Sequence, residues 1–113
     1  MDQVTSSWSE EKFKAYVMVY AAQTDHVETE DEKDYLESNF DKSLLKEVYK
    51  EINQDNDFNR IQKIMSFVKS SNYSENSLKD LLVKIKKMYM CDGNFGSPEQ
   101  LVYSSLQKLF NMS

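Results

Sequence analysis

The chain has 113 residues, of which 40% are hydrophobic and 29% charged, with a net charge of −5; this fits one globular domain with a real core. Two Gly, one Pro and one Cys argue against a turn-rich β fold and exclude an internal disulfide. A single Arg within an acidic total argues against nucleic-acid binding, and the apolar run through 16–22 is far too short to span a membrane.

The opening residues MDQVTSSWSEEK lack the basic and apolar regions of a signal peptide. With the lone Cys91 suited to a reducing compartment, a cytoplasmic location is expected. Residues 1–8 read as a tail and 9–113 as the domain.

The first predicted helix runs from Glu10 to Thr24. Ser9 is a fit N-cap, and Glu10 and Glu11 face the positive end of the helix dipole. Trp8 and Phe13 stand at the two positions of a hydrophobic staple. Phe13, Tyr16, Val17, Tyr20 and Ala21 form a core-facing stripe. A capping box, Thr29 to Glu32, opens a short acid-rich helix over 30–39, with Tyr35, Leu36 and Phe40 as its apolar residues.

Asp41 is the expected cap of a third helix over 42–53, where Leu44, Leu45, Val48, Tyr49 and Ile52 make the inner stripe. Lys46 and Lys50 are expected to pair with Glu47 and Glu51 on its outer face. Polar residues 54–57 form the next connection. A fourth helix over 58–70 turns Ile61, Ile64, Met65 and Val68 inward. After a turn at 70–73, Ser74 caps a fifth helix over 75–91, with Tyr73 and Leu78 as a second staple. Its core face is Leu78, Leu81, Leu82, Ile85, Met88 and Tyr89; its lysines look outward. Gly93 ends it by adopting a positive φ. Ser97-Pro98 starts a sixth helix, reaching Asn111, with Val102, Leu106, Leu109 and Phe110 inward.

Two corners share one spacing. Asp25 to Glu32 and Asp92 to Glu99 each place an Asp at the end of one helix and a Glu in the first turn of the next. Three readings are open. Both acids can serve turn and helix-end N–H groups with no ligand. The later half of an EF-hand loop is reproduced by Asp92-Gly93-x-Phe95-x-x-x-Glu99. Its early positions, however, would be Met88 and Met90, or Ala21 and Gln23, where Met and Ala side chains offer calcium no oxygen. A looser divalent site, calcium or magnesium, forms if the corners meet across a pseudo-twofold axis. The corners differ in that His26 stands where the second has Gly93, and Glu28 where it has Phe95.

The run Tyr20-Ala21-Ala22-Gln23-Thr24-Asp25 with Thr29-Glu30-Asp31-Glu32-Lys33, and its counterpart Asp92-Gly93-Asn94-Phe95 with Glu99, resembles the TerB-like tellurite-resistance family over about residues 13–110. The resemblance implies an all-α single domain of about six helices built from two related halves. It implies a non-enzymatic module of stress-response or membrane-linked complexes. It also implies metal-binding acids at Asp25, Glu32, Asp92 and Glu99.

Charge is unevenly spread: residues 25–41 hold eight acids and one base, and residues 60–87 hold seven bases and two acids. An acidic interaction surface is expected at Glu28, Glu30, Asp31, Asp34 and Glu37, and a basic one at Lys79, Lys84, Lys86 and Lys87. Each is also what a solvated helix face looks like. The expected function is a partner-recruiting interaction module, with protein partners that include membrane-associated ones. Two other classes stay open: a carboxylate-based metal-dependent hydrolase and a ligand-free helical adaptor. His26 reads as a solvated turn residue. Cys91, at a helix C-terminus that raises a thiol pKa, reads as a small buried residue rather than a nucleophile.

Overall fold

In the computed structural model, which describes residues 8–23, 30–71, 74–90 and 97–110, the helices follow one another in the expected order. They are α1 (Glu10–Gln23), α2 (Glu30–Asn39), α3 (Lys42–Gln54), α4 (Asp57–Ser71), α5 (Glu75–Met90) and α6 (Ser97–Leu109). No strand is present among the described residues. The protein is therefore all-α. The turn at Asn72-Tyr73, the Tyr73 half of the second staple, Gly93 and Cys91 lie outside the described residues.

Local chemistry sets most of the helix ends. The Ser9 hydroxyl accepts the Lys12 N–H at 3.1 Å, and Ser74 accepts the Ser77 N–H at 3.1 Å, each satisfying a donor that a first turn leaves open. Asp41 stands at the expected N-cap position of α3, but its side chain caps no backbone N–H. Its carboxylate instead accepts a hydrogen bond from the Ser43 hydroxyl. The connection after α3 is shorter than expected: Asp57 is already helical, and Asn56 caps α4 through a 2.8 Å bond from the Asn59 N–H. The end of α3 is closed by Arg60, whose Nε and Nη2 both donate to the Ile52 carbonyl, at 3.0 and 2.8 Å. A cation there also suits the negative end of the helix. Ser97 begins α6 rather than preceding it.

α1 departs most from expectation. Its apolar residues are not a one-sided stripe: Phe13 and every residue from Ala15 to Ala22 are buried. A helix apolar all round belongs inside the core, and α1 touches each of the other five helices. The rest of the chain is wrapped around it. Tyr89 of α5 ties the two together, its hydroxyl donating to the Ala21 carbonyl at 2.6 Å.

The outer helices are amphipathic as read from sequence. Leu45, Val48 and Ile52 of α3, all six expected residues of α5, and Val102, Leu106 and Phe110 of α6 are buried. In α4 the expected face is turned: Ile64 and Phe67 point inward, while Ile61 and Val68 are half-buried against the core. Phe67 organises an aromatic cluster. It stacks on Phe13 with centroids 4.4 Å apart and meets Trp8 at 6.2 Å, and Trp8 meets Tyr16 at 4.8 Å. The two residues of the first staple are thus joined through a third ring, and Trp8 is part of the core.

Candidate functional site

The helix that carries the expected acidic surface, α2, shows two faces. Leu36 and Phe40 bury one of them. Glu32 lies four residues before Leu36 and therefore on the same side, and its side chain is fully buried. Its acidity is thus not at the surface where a corner cation was expected. Among the described residues no hydrogen bond reaches its Oε2, although the residue does take part in other polar or electrostatic contacts. Asp25, His26, Glu28, Thr29 and Asp92 lie outside the described residues. Glu99 falls in the first turn of α6, with its side chain outside the described set. Among the described residues no three of Asp, Glu, His and Cys come close enough to hold a metal ion. The described part of the corner does not by itself make a cation site.

The opposite face of α2 carries Glu30, Asp31, Asp34 and Glu37, all exposed. On α5, which packs against α2, Lys79, Lys84, Lys86 and Lys87 are likewise exposed. These acids and lysines are thus exposed on two helices that pack against each other. Yet among the described residues none of the four surface acids enters an ion pair, and neither do Lys84 and Lys87. Lys79 pairs within its own helix, with Glu75 at 3.8 Å.

Charges behave differently between α1, α3 and α4. Lys12 Nζ bridges Glu47 at 2.8 Å and Glu51 at 2.9 Å. Lys63 Nζ bridges Glu51 and Asp55, both at 2.8 Å. The Tyr16 hydroxyl donates to Asp55 Oδ2 at 2.7 Å. Lys12 also lies 5.6 Å from the Trp8 ring centroid, within cation–π range.

This seam corrects the expected pairs within α3. Lys46 and Lys50 take no ion-pair partner among the described residues, because Glu47 and Glu51 turn toward α1 and α4. Sequence neighbours on a helix do not face one another. The missed signal is the acid series 47, 51, 55, spaced by four along the flank of the apolar 45, 48, 52 stripe.

The seam also tunes its own protons. Burial pulls the Lys12 and Lys63 ammoniums down, but the carboxylates beside each outweigh it and hold both above the ordinary lysine value. Burial, then the bond to Asp55, pushes the Tyr16 phenol far above its usual range. The hydrogen bond from Lys12 keeps Glu47 below the ordinary glutamate value. Tyr16 thus stays a neutral donor and both lysines stay cations. The seam is a structural clip.

The surface also has concavities. A groove of about 490 Å³ lies between α4 and α6, with Tyr20 on its floor and Ile61, Met65, Val102 and Leu109 along it. Asp57 and Lys108 add one charge of each sign. A smaller pocket between α1 and α5, about 250 Å³, gathers Lys14, Lys84 and Lys87.

The chain matches no protein-family model, no curated protein and no solved structure. No helix among the described residues is long and apolar enough to cross a membrane.

Proposed function

We propose that the chain is a non-enzymatic interaction module of the TerB-like kind, built from two related halves, which recruits a protein partner in the cytoplasm through the acidic face of α2. The observation that supports this is the contrast in how charges are used. The α1–α3–α4 seam consumes its acids and bases in internal bridges. Glu30, Asp31, Asp34 and Glu37 stay exposed and enter no ion pair among the described residues, although a lysine-bearing helix packs alongside. Aligned acids at helical spacing favour a partner with a basic segment, membrane-associated ones included, and speed its encounter.

The test is affinity capture from lysate by the intact chain and by the quadruple variant E30K/D31K/D34K/E37K. The wild type retains a partner that the variant loses and that about 1 M salt releases, since screening then acts within about 3 Å. A partner retained equally by both chains would sink the reading.

The resemblance adds a divalent cation near Asp25, Glu32, Asp92 and Glu99. Calorimetric titration with calcium, magnesium and zinc tests it. A heat and a melting shift that disappear in E32Q support it, and no heat at millimolar metal removes it.

A further inference from the structure

We propose that the pocket between α1 and α5 is a binding site for a phosphate monoester. Three lysines line it: Lys14 from α1, and Lys84 and Lys87 from α5. Lys84 and Lys87 have no carboxylate partner among the described residues. Lys14 is fixed in the wall by Glu10 at 3.4 Å, with its side chain 26% exposed. Ser77 supplies a hydroxyl at the rim. Its oxygen accepts from the Ser74 hydroxyl at 2.9 Å, which leaves its own hydrogen to donate.

Lys84 and Lys87 bring two cations that no carboxylate bridges among the described residues, Lys14 adds a third that Glu10 holds from outside the lining, and two unbridged charges beside Asp80 favour a dianion over a carboxylate. Lysine ammoniums bind phosphate as point charges without a fixed geometry. Asp80 cannot face the phosphate favourably, but it can accept a hydroxyl on the ester's carbon skeleton. A volume of about 250 Å³ suits a phosphate group with a small alcohol. A protein of net charge −5 repels anions generally, so binding has to be local.

A second cleft, between α2 and α3, also gathers three lysines, Lys33, Lys42 and Lys46. It is flanked by the acid row of α2, with Glu37 in its wall, and its three ammoniums are all exposed. It serves as the charge-matched control. The proposal rests on the α1/α5 pocket alone and does not depend on the adaptor reading.

The experiment is amide NMR of the full chain titrated with inorganic phosphate and with glycerol 3-phosphate, against sodium chloride at matched ionic strength. Glycerol 3-phosphate produces saturable shifts at Lys14, Ser77, Lys84 and Lys87. Variant K84Q/K87Q weakens that binding by about tenfold or more, as loss of two charge-assisted hydrogen bonds requires, whereas K42Q/K46Q leaves it unchanged. Sedimentation with phosphatidate-containing vesicles separates the sources of the same group. Capture by vesicles, lost in K84Q/K87Q, assigns the phosphate to a lipid headgroup; saturation by the soluble ester without capture assigns it to a small metabolite. The proposal is overturned if chloride reproduces the shifts, if none saturates, or if K42Q/K46Q is the variant that abolishes them.

Discussion

The Tyr16 hydroxyl donates a 2.7 Å hydrogen bond to Asp55 Oδ2, joining the middle of α1 to the two-residue connection between α3 and α4. Asp55 answers with the same oxygen to Lys63 at 2.8 Å. One carboxylate thus fixes three elements. Replacing Tyr16 with Phe removes one bond and leaves Asp55 its lysine, at a cost of about 1 kcal/mol. Replacing Asp55 with Ala leaves the buried phenol without its acceptor and Lys63 with Glu51 alone, at about 2–3 kcal/mol. Urea unfolding of the two single variants and the double variant measures this, and the double variant is expected to lose less than the two losses added together.

The seam makes stability fall in alkali. Lys12 and Lys63 have pKa values raised above the ordinary 10.5, and Tyr16 is raised above its ordinary 10.0. In each case the folded chain holds a proton that the unfolded chain has begun to release, so stability drops as pH rises past about 10. Their contribution is fully present below that range. Thermal melts between pH 8 and 12 are expected to show this fall, and Tyr16→Phe is expected to flatten it. Glu47 acts at the other end: its lowered value makes its contribution disappear as pH falls below the ordinary 4.5.

Phe67 carries more of the core than its place in the sequence suggests. Removing its ring in Phe67→Ala takes away the stacking partner of Phe13 and one neighbour of Trp8, at about 3–5 kcal/mol. Trp8 is the single tryptophan, so its fluorescence reports the loss directly. A red-shifted emission in the folded variant is the expected signature of a ring newly open to water.

The acidic face of α2 should be separable from stability. Glu30, Asp31, Asp34 and Glu37 are exposed and unbridged among the described residues, so neutralising any one of them to Gln or Asn shifts stability by no more than about 0.5 kcal/mol. Urea midpoints of the single variants check this. A larger loss at any of them would reveal a structural role for that acid.

Much of the architecture was legible because apolar spacing is a local property. The α5 face from Leu78 to Tyr89 and the α3 face from Leu45 to Ile52 follow directly from their periods. Tertiary choices were not legible in that way. α1 carries a stripe that fits a surface helix, and only the presence of neighbours on every side explains why Ala15, Met18 and Val19 are apolar too. Glu32 stands three residues after Thr29, the spacing of a capping box, and its spacing to Leu36 and Phe40 also places it on the inner side, where it is buried. Glu47 and Glu51 had lysines nearby in sequence, but geometry gave them Lys12 and Lys63. Where two local rules compete, packing decides between them. Glu30, Asp31, Asp34 and Glu37 of α2 and the four lysines of α5 are exposed, where the helical period alone puts them.

The central position of α1 imposes an order of events during synthesis. This helix leaves the ribosome before the other five, yet it is covered only when they have all arrived, α6 included. Until then a growing chain presents an apolar rod with no side turned safely to water, the kind of surface on which nascent chains aggregate. Its partners are distant in sequence, so the closing of long loops delays their arrival. Chaperone demand should therefore peak just before α6 emerges.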